Sequence, residues 1–346
     1  MRKFAALTGL YSMSHFIVDF SCAFIIFSKV SGSEQWLMCL LIYNFFAFAM
    51  QMPLGLVADK IGRDRFFAAS GCMLAAFAPL FAAAPFLLCA AAGLGNALFH
   101  IGAGREILCG SRKRFAALGI FVSPGALGIY LGAMLGKSGA LPMLAVLSAL
   151  AVCAGVILLA VPSLNESKEN RCITGEKPNF RSAYAFMLLC LFLVVCLRSY
   201  VGITLSFPWK GERHYALLLV LSVVLGKALG GIVADRFGAI WVSFASLFIC
   251  AALFLFYKLP ACGILAVFLF NMTMPITLGA VRNLLPQSPG FGFGILTFGL
   301  FLGIIPVLTD MKSFLVLPYG YTAVCIVSAC LLYYGLKERR NAAKIF

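Results

Sequence analysis

Residues 55–65 read GLVADKIGRDR and residues 231–238 read GIVADRFG. The second string begins 176 positions after the first, and each closes a long apolar run. Both carry a glycine one helical turn before an aspartate, a basic residue beside that aspartate, and a second glycine shortly after it. The same charged sentence at two equivalent helix ends points to a repeated unit, and the flanking sequence tests that idea.

The flanks are those of a membrane protein. Of 346 residues, 62% are hydrophobic and 11% charged, with a mean hydropathy of +1.01, whereas a soluble domain is about a quarter charged. A helix needs about 20 apolar residues to cross a bilayer. Twelve runs of that order follow one another, approximately 4–28, 35–58, 66–84, 86–107, 115–136, 141–163, 182–208, 215–234, 239–257, 260–285, 291–309 and 314–336. The predicted fold class is therefore all-α integral membrane, twelve transmembrane helices with no separate soluble domain. The opening MRKFAALTGLYSM has the charge of a signal peptide but no small-x-small cleavage site, and reads as a retained first span.

A net charge of +15 would suggest nucleic acid in a soluble protein. Its placement argues otherwise: with a cytoplasmic N-terminus, seventeen basic residues fall in cytoplasmic segments and six in external ones. The positive-inside rule then predicts a multi-pass protein of the cell membrane with both termini cytoplasmic, no nucleic-acid partner, and lipid around it. The thirteen cysteines form no C-x-x-C pair and no cluster with histidine at metal spacing, so they read as small packing residues. No disulfide, metal or cofactor is expected.

The one long polar stretch, NESKENRCITGEKPNFR at 165–181, separates six runs from six. That gives an N-terminal bundle over 1–163, a cytoplasmic linker over 164–181 and a C-terminal bundle over 182–346. Further echoes relate the halves. GAGREIL (102–108) matches GAVRNLL (279–285) at an offset of 177, and Gly128 and Gly132 match Gly299 and Gly303 at 171. Parallel repeats of this kind are a secondary-transporter architecture.

Two six-span halves, a charged middle loop and G-x-x-x-D-x-x-G-R-x-R after the second span resemble the major facilitator superfamily. Gly55, Asp59, Gly62, Arg63 and Arg65 fill that motif, and Gly231, Asp235 and Gly238 form its shorter second copy. HFIVDF in span one, GNALFH in span four and RSYVG in span seven are similar to the fosmidomycin-resistance-like exporters, with Ile101 where that branch has proline. The resemblance implies two pseudo-symmetric six-helix bundles. It also implies that the contact made by Asp59 and Asp235 joins the halves when the cytoplasmic side is shut. Physically, Gly55 and Gly231 permit close helix approach, and each aspartate then sits where a helix N-terminus or an arginine can stabilise it. Arg105 and Arg282, equivalent across the repeat, are the expected gate partners of Asp59 and Asp235.

A charge at mid-bilayer costs roughly 2.5–3.5 kcal/mol on insertion scales, so each one kept there is a candidate for function. The third, sixth, ninth and twelfth runs hold no ionisable Asp, Glu, Lys, Arg or His, and the resemblance places those helices outermost. His15 and Asp19 share one face of the first helix. Asp19 lies about 22 Å along a helix entered near residue 4. An isolated carboxylate there takes up a proton readily, whereas a nearby cation holds it ionised; proton coupling and a static ion pair with Arg198 are the two readings. Arg198 and Lys227 lie too deep to snorkel. Against Asp19 they leave an excess positive charge, which favours an anionic substrate, and arginine offers a fork for an oxyanion. Lys227 has the alternative of pairing with a backbone or water site. Asn96 and His100 in span four, and Asn271 in span ten, complete the candidate pathway, with a purely structural role the alternative for His100.

The expected function is a secondary active transporter working by alternating access on a small molecule, needing only a monomer. Proton-coupled efflux of an anionic compound leads, and proton-coupled uptake of an anionic nutrient is the alternative. An enzyme is not expected, because no nucleotide loop, metal-spaced set or nucleophile–base motif accompanies the embedded histidines.

Overall fold

The computed structural model describes residues 2–112, 114–164, 182–308 and 318–337. The expected linker lies, from residue 165 onward, outside the described residues, as do Lys113, Lys312 and the basic C-terminal tail beyond Lys337.

Fifteen α-helices and no strand occur among the described residues. In the first half they are α1 (Arg2–Lys29), α2 (Trp36–Asn44), α3 (Gln51–Ile61), α4 (Asp64–Phe77), α5 (Pro85–Gly110), α6 (Ala116–Val122), α7 (Gly125–Ser138) and α8 (Met143–Leu164). In the second they are α9 (Ser182–Thr204), α10 (Arg213–Phe237), α11 (Ala239–Leu255), α12 (Pro260–Asn271), α13 (Thr273–Leu284), α14 (Pro289–Ile304) and α15 (Pro318–Leu336). The repeated glycine that follows each aspartate ends a helix. Gly62 has φ 66° and Gly238 φ 90°, values that glycine adopts without a Cβ penalty.

Ten segments among the described residues are long and apolar enough to cross a membrane. Three of them join two helices: Trp36–Ile61 through a π turn at Phe45–Ala49, Ala116–Ser138 through Ser123 and Pro124, and Pro260–Leu284 through Met272. Two of the twelve expected runs form shorter helices instead. Run 66–84 becomes the 14-residue α4 and a 3₁₀ turn at Ala78–Phe81, where Pro79 has no amide to continue the α ladder. Run 239–257 becomes α11, of 17 residues. At 1.5 Å per residue, α4 is about 21 Å long against a hydrocarbon core of about 30 Å.

One cysteine departs from the packing reading: Cys109 is disulfide-bonded, while the other described cysteines are free. It stands half-buried at the end of α5, not within an apolar helix interior.

The chain divides into two compact units, and neither is a continuous half. The first contains the described residues of Met1–Arg112, Pro124–Thr174 and Gln287–Phe298; the second contains those of Lys113–Ser123, Gly175–Pro286 and Gly299–Phe346. The short α6 is thus counted with the second unit, and the first turns of α14 with the first. Within the first unit, α1 packs on α7 through glycines. A Cβ on Gly128, Gly132 or Gly136 would stand 2.6, 2.2 or 2.7 Å from the carbonyl oxygens of Phe16, Phe20 and Phe24. Gly132→Ala must therefore push α1 away, and is expected to cost ~1–3 kcal/mol, read as a lower unfolding midpoint in detergent. Gly155→Ala, where nothing lies within 4 Å, should leave the midpoint unchanged or raised.

Candidate gating and charge sites

The repeated string acquires a physical meaning at the ends of α3 and α10. Glycine and aspartate four residues apart share one helix face. A Cβ on Gly55 would lie 2.2 Å from the carbonyl oxygen of Gly290, so bare backbone at Gly55 lets α3 meet the start of α14. One turn on, Asp59 Oδ1 accepts from the Gly290 amide at 2.9 Å and Oδ2 from the Phe291 amide at 2.9 Å. The second copy repeats this within the other unit. A Cβ on Gly231 would lie 2.4 Å from the Phe115 carbonyl oxygen, and Asp235 accepts from the amides of Phe115 and Ala116 at 2.7 and 3.0 Å. Each aspartate satisfies amide groups that a helix start leaves without an intrahelical partner.

The first copy is more heavily charged. Arg105 donates through Nε to Asp59 at 2.8 Å and through Nη1 to both oxygens of Asp64 at 2.8 Å. Burial pushes the Asp64 carboxyl above the usual carboxylate range, against the opposing pull of Arg105. Arg63 is exposed and Arg65 lies over the Phe66 ring at 4.8 Å; with Gly62, Asp64 and Glu106 they line a cavity of about 650 Å³. Arg282 is half-buried in the last turn of α13. Because Asp59 holds an arginine as well as two amides, Asp59→Asn is expected to impair transport more than Asp235→Asn. Charge-assisted hydrogen bonds contribute about 1.5–3 kcal/mol each, roughly twice a neutral one. Transport at matched expression checks the ranking, and an equal or reversed order would remove the gate role from these carboxylates.

Deeper in the first unit, α1 and α5 assemble a second cluster. His15 Nε2 lies 3.1 Å from Asp19 Oδ2, and Asn96 donates through Nδ2 to Asp19 Oδ1 at 2.9 Å. His100 Nε2 lies 2.9 Å from His15 Nε2 and 3.7 Å from Asp19 Oδ1. His100 Nδ1 lies 2.9 Å from the Asn96 carbonyl oxygen. A carbonyl only accepts, so Nδ1 carries the hydrogen there and Nε2 of the neutral ring is left as a lone pair. All four side chains are buried. Thus His15, Asp19, Asn96 and His100 come together. One turn before His15, Tyr11 donates to the buried carboxylate of Glu106, a pair that sequence reading missed. Its signal was present: Tyr11, His15 and Asp19 recur every four residues on α1, and Glu106 adjoins Arg105.

In the second unit, Arg198 on α9 is buried, 7% exposed. Its guanidinium donates to Thr277 Oγ1 at 2.8 Å and to the thioether of Met274, while Nε has no partner. No carboxylate among the described residues of this unit lies within ion-pair distance of it. Lys227 is half-buried on α10, and Asn271 donates to the Val267 carbonyl of its own helix at 2.8 Å. Met274 and Thr277 follow the break between α12 and α13 and were not singled out from the sequence.

No family model and no curated protein matches the chain. Solved structures do. FucP, a major facilitator superfamily transporter captured in the outward conformation, aligns over 96% of this chain and 97% of its own at a TM-score of 0.69 and 15% identity. A structure of the E. coli fucose:proton symporter FucP aligns with the same coverage and identity at 0.68. The chain has the major facilitator fold. Within that fold, buried ionisable groups occupy the interiors of apolar helices, and the repeated aspartates occupy helix ends.

Proposed function

We propose that this chain is a secondary active transporter of the major facilitator superfamily, working by alternating access across the cell membrane as a monomer with both termini cytoplasmic. It couples proton movement to efflux of a small anionic compound. The observation that carries this reading is the retention of buried ionisable side chains, Asp19 with two histidines and Arg198 with only a hydroxyl and a thioether in its own unit, inside apolar membrane helices. Such groups are expensive in a bilayer unless ions or substrates use them.

Asp19 is the coupling carboxylate, with His15 and His100 beside it. Arg198 and Lys227 attract the anion. The Asp59 and Asp235 contacts form and break as the protein changes state. HFIVDF, GNALFH and RSYVG support the fosmidomycin-resistance-like branch and hence export. Proton-coupled uptake is the second reading, favoured by likeness to a fucose:proton symporter. Proteoliposomes loaded with candidate anions, under an imposed pH gradient, test both. Efflux-directed exchange of solute for protons supports the first, co-directional flux the second, and absence of gradient-dependent flux rejects the transporter reading.

A further inference from the structure

The buried cluster on α1 and α5 has the donor set and spacing of a metal site. Two imidazole nitrogens and a carboxylate, from His15, His100 and Asp19, place their ligand atoms within 4.8 Å of one another. The two Nε2 atoms lie 2.9 Å apart, Asp19 Oδ2 lies 3.1 Å from that of His15, and the other oxygen, Oδ1, lies 3.7 Å from that of His100. A tetrahedral ion with bonds of about 2.0–2.1 Å sets its ligand atoms about 3.3 Å apart, close to the His15–His100 and His15–Asp19 separations.

The surroundings orient the donors. The Asn96 carbonyl takes the Nδ1 hydrogen of His100, which turns the Nε2 lone pair toward the cluster. The Asn96 amide binds Asp19 Oδ1, leaving Oδ2 toward His15. Second partners of this kind fix tautomer and orientation around bound metals. Gly125 at the start of α7 lets that helix close against the cluster. A Cβ there would stand 2.4 Å from both Asp19 Oδ2 and His15 Nε2, so only glycine lets α7 pack directly over these two donors. Imidazole and carboxylate together suit zinc-like transition metals, whereas magnesium and calcium prefer oxygen alone.

We propose that His15, Asp19 and His100 form a binding site for a divalent transition-metal ion that ties α1 to α5. The site rests on the membrane-embedded fold assigned above but not on any transport event; while an ion is bound Asp19 is held ionised, so the loaded state is distinct from the one in which Asp19 carries a proton. His15 and His100 stand 85 positions apart, so no sequence spacing reveals it.

The test uses the purified full-length protein, stripped of metal and carrying no polyhistidine tag, titrated with Co²⁺ in detergent. The expected result is an intense visible d–d absorption saturating at one ion per chain and bleached by Zn²⁺. His100→Gln and Asp19→Asn should each weaken Co²⁺ at least tenfold, and Asn96→Ala by about tenfold through loss of orientation. His214→Ala, at the exposed histidine near the start of α10, should change nothing. Zn²⁺ should raise the unfolding midpoint of the unaltered protein and not that of His100→Gln. No saturable Co²⁺ spectrum in the unaltered protein overturns the site, whatever the variants do. A spectrum unchanged by His100→Gln or abolished by His214→Ala overturns it as well. Protein that moves solute but binds no Co²⁺ defeats this inference alone; protein that binds Co²⁺ yet moves no solute defeats the transporter reading alone.

Discussion

Replacing Asp19 with asparagine is expected to abolish transport driven by a proton gradient while leaving substrate counterflow partly intact. Asn is nearly isosteric with Asp, so the Asn96 contact at 2.9 Å and the packing beneath Gly125 can persist. What disappears is the charge and the capacity to take up and release a proton. The carboxylate sits beside His15 and His100, is 7% exposed and belongs to an apolar helix, so no solvent or surface group can take over that role. Counterflow exchanges labelled for unlabelled substrate and needs no net proton movement, which makes it the control for a folded, substrate-competent protein. The measurement is flux in proteoliposomes with and without a pH gradient, at matched reconstitution. Surviving gradient-driven flux would move the coupling role to His15 or His100; loss of both modes would make Asp19 a substrate or packing residue.

The parts of the fold and sites legible in the sequence were those written locally. Apolar runs of bilayer length fix the helices, and glycine and aspartate one turn apart fix a face that approaches a neighbour and receives amides. Gly62 and Gly238 end their helices for the same local reason. Features built from distant residues were not legible. The amides that serve Asp59 lie 231 and 232 positions away, and those that serve Asp235 about 120. A sequence motif can announce that a carboxylate needs donors, but only the fold supplies them. His15 meeting His100, and Tyr11 meeting Glu106, are likewise tertiary events between α1 and α5. The shortness of α4 was hidden by hydropathy, which counts Pro79 as one more tolerable residue although it interrupts the backbone ladder.

Arg198→Ala is expected to weaken binding of an anionic substrate tenfold to a hundredfold. The guanidinium is buried with a hydroxyl and a thioether for company, a poor replacement for the water it has lost. Its Nε lacks a partner altogether, and a buried cation so placed is stabilised by any oxyanion that reaches it. Loss of one charge-assisted hydrogen bond costs about 1.5–3 kcal/mol, which sets the expected range in affinity. Arg198→Lys should also bind poorly, because an ammonium is a point charge and cannot present two parallel N–H groups to an oxyanion. Lys227→Ala, on the neighbouring α10, should weaken the anion in the same direction by removing long-range attraction. Calorimetric affinity for an identified substrate, in the unaltered protein and the three variants, decides the matter. A neutral or cationic substrate, or equal affinity throughout, would leave Arg198 and Lys227 as structural cations: a buried guanidinium that finds its anion within the protein has no need to recruit one from outside.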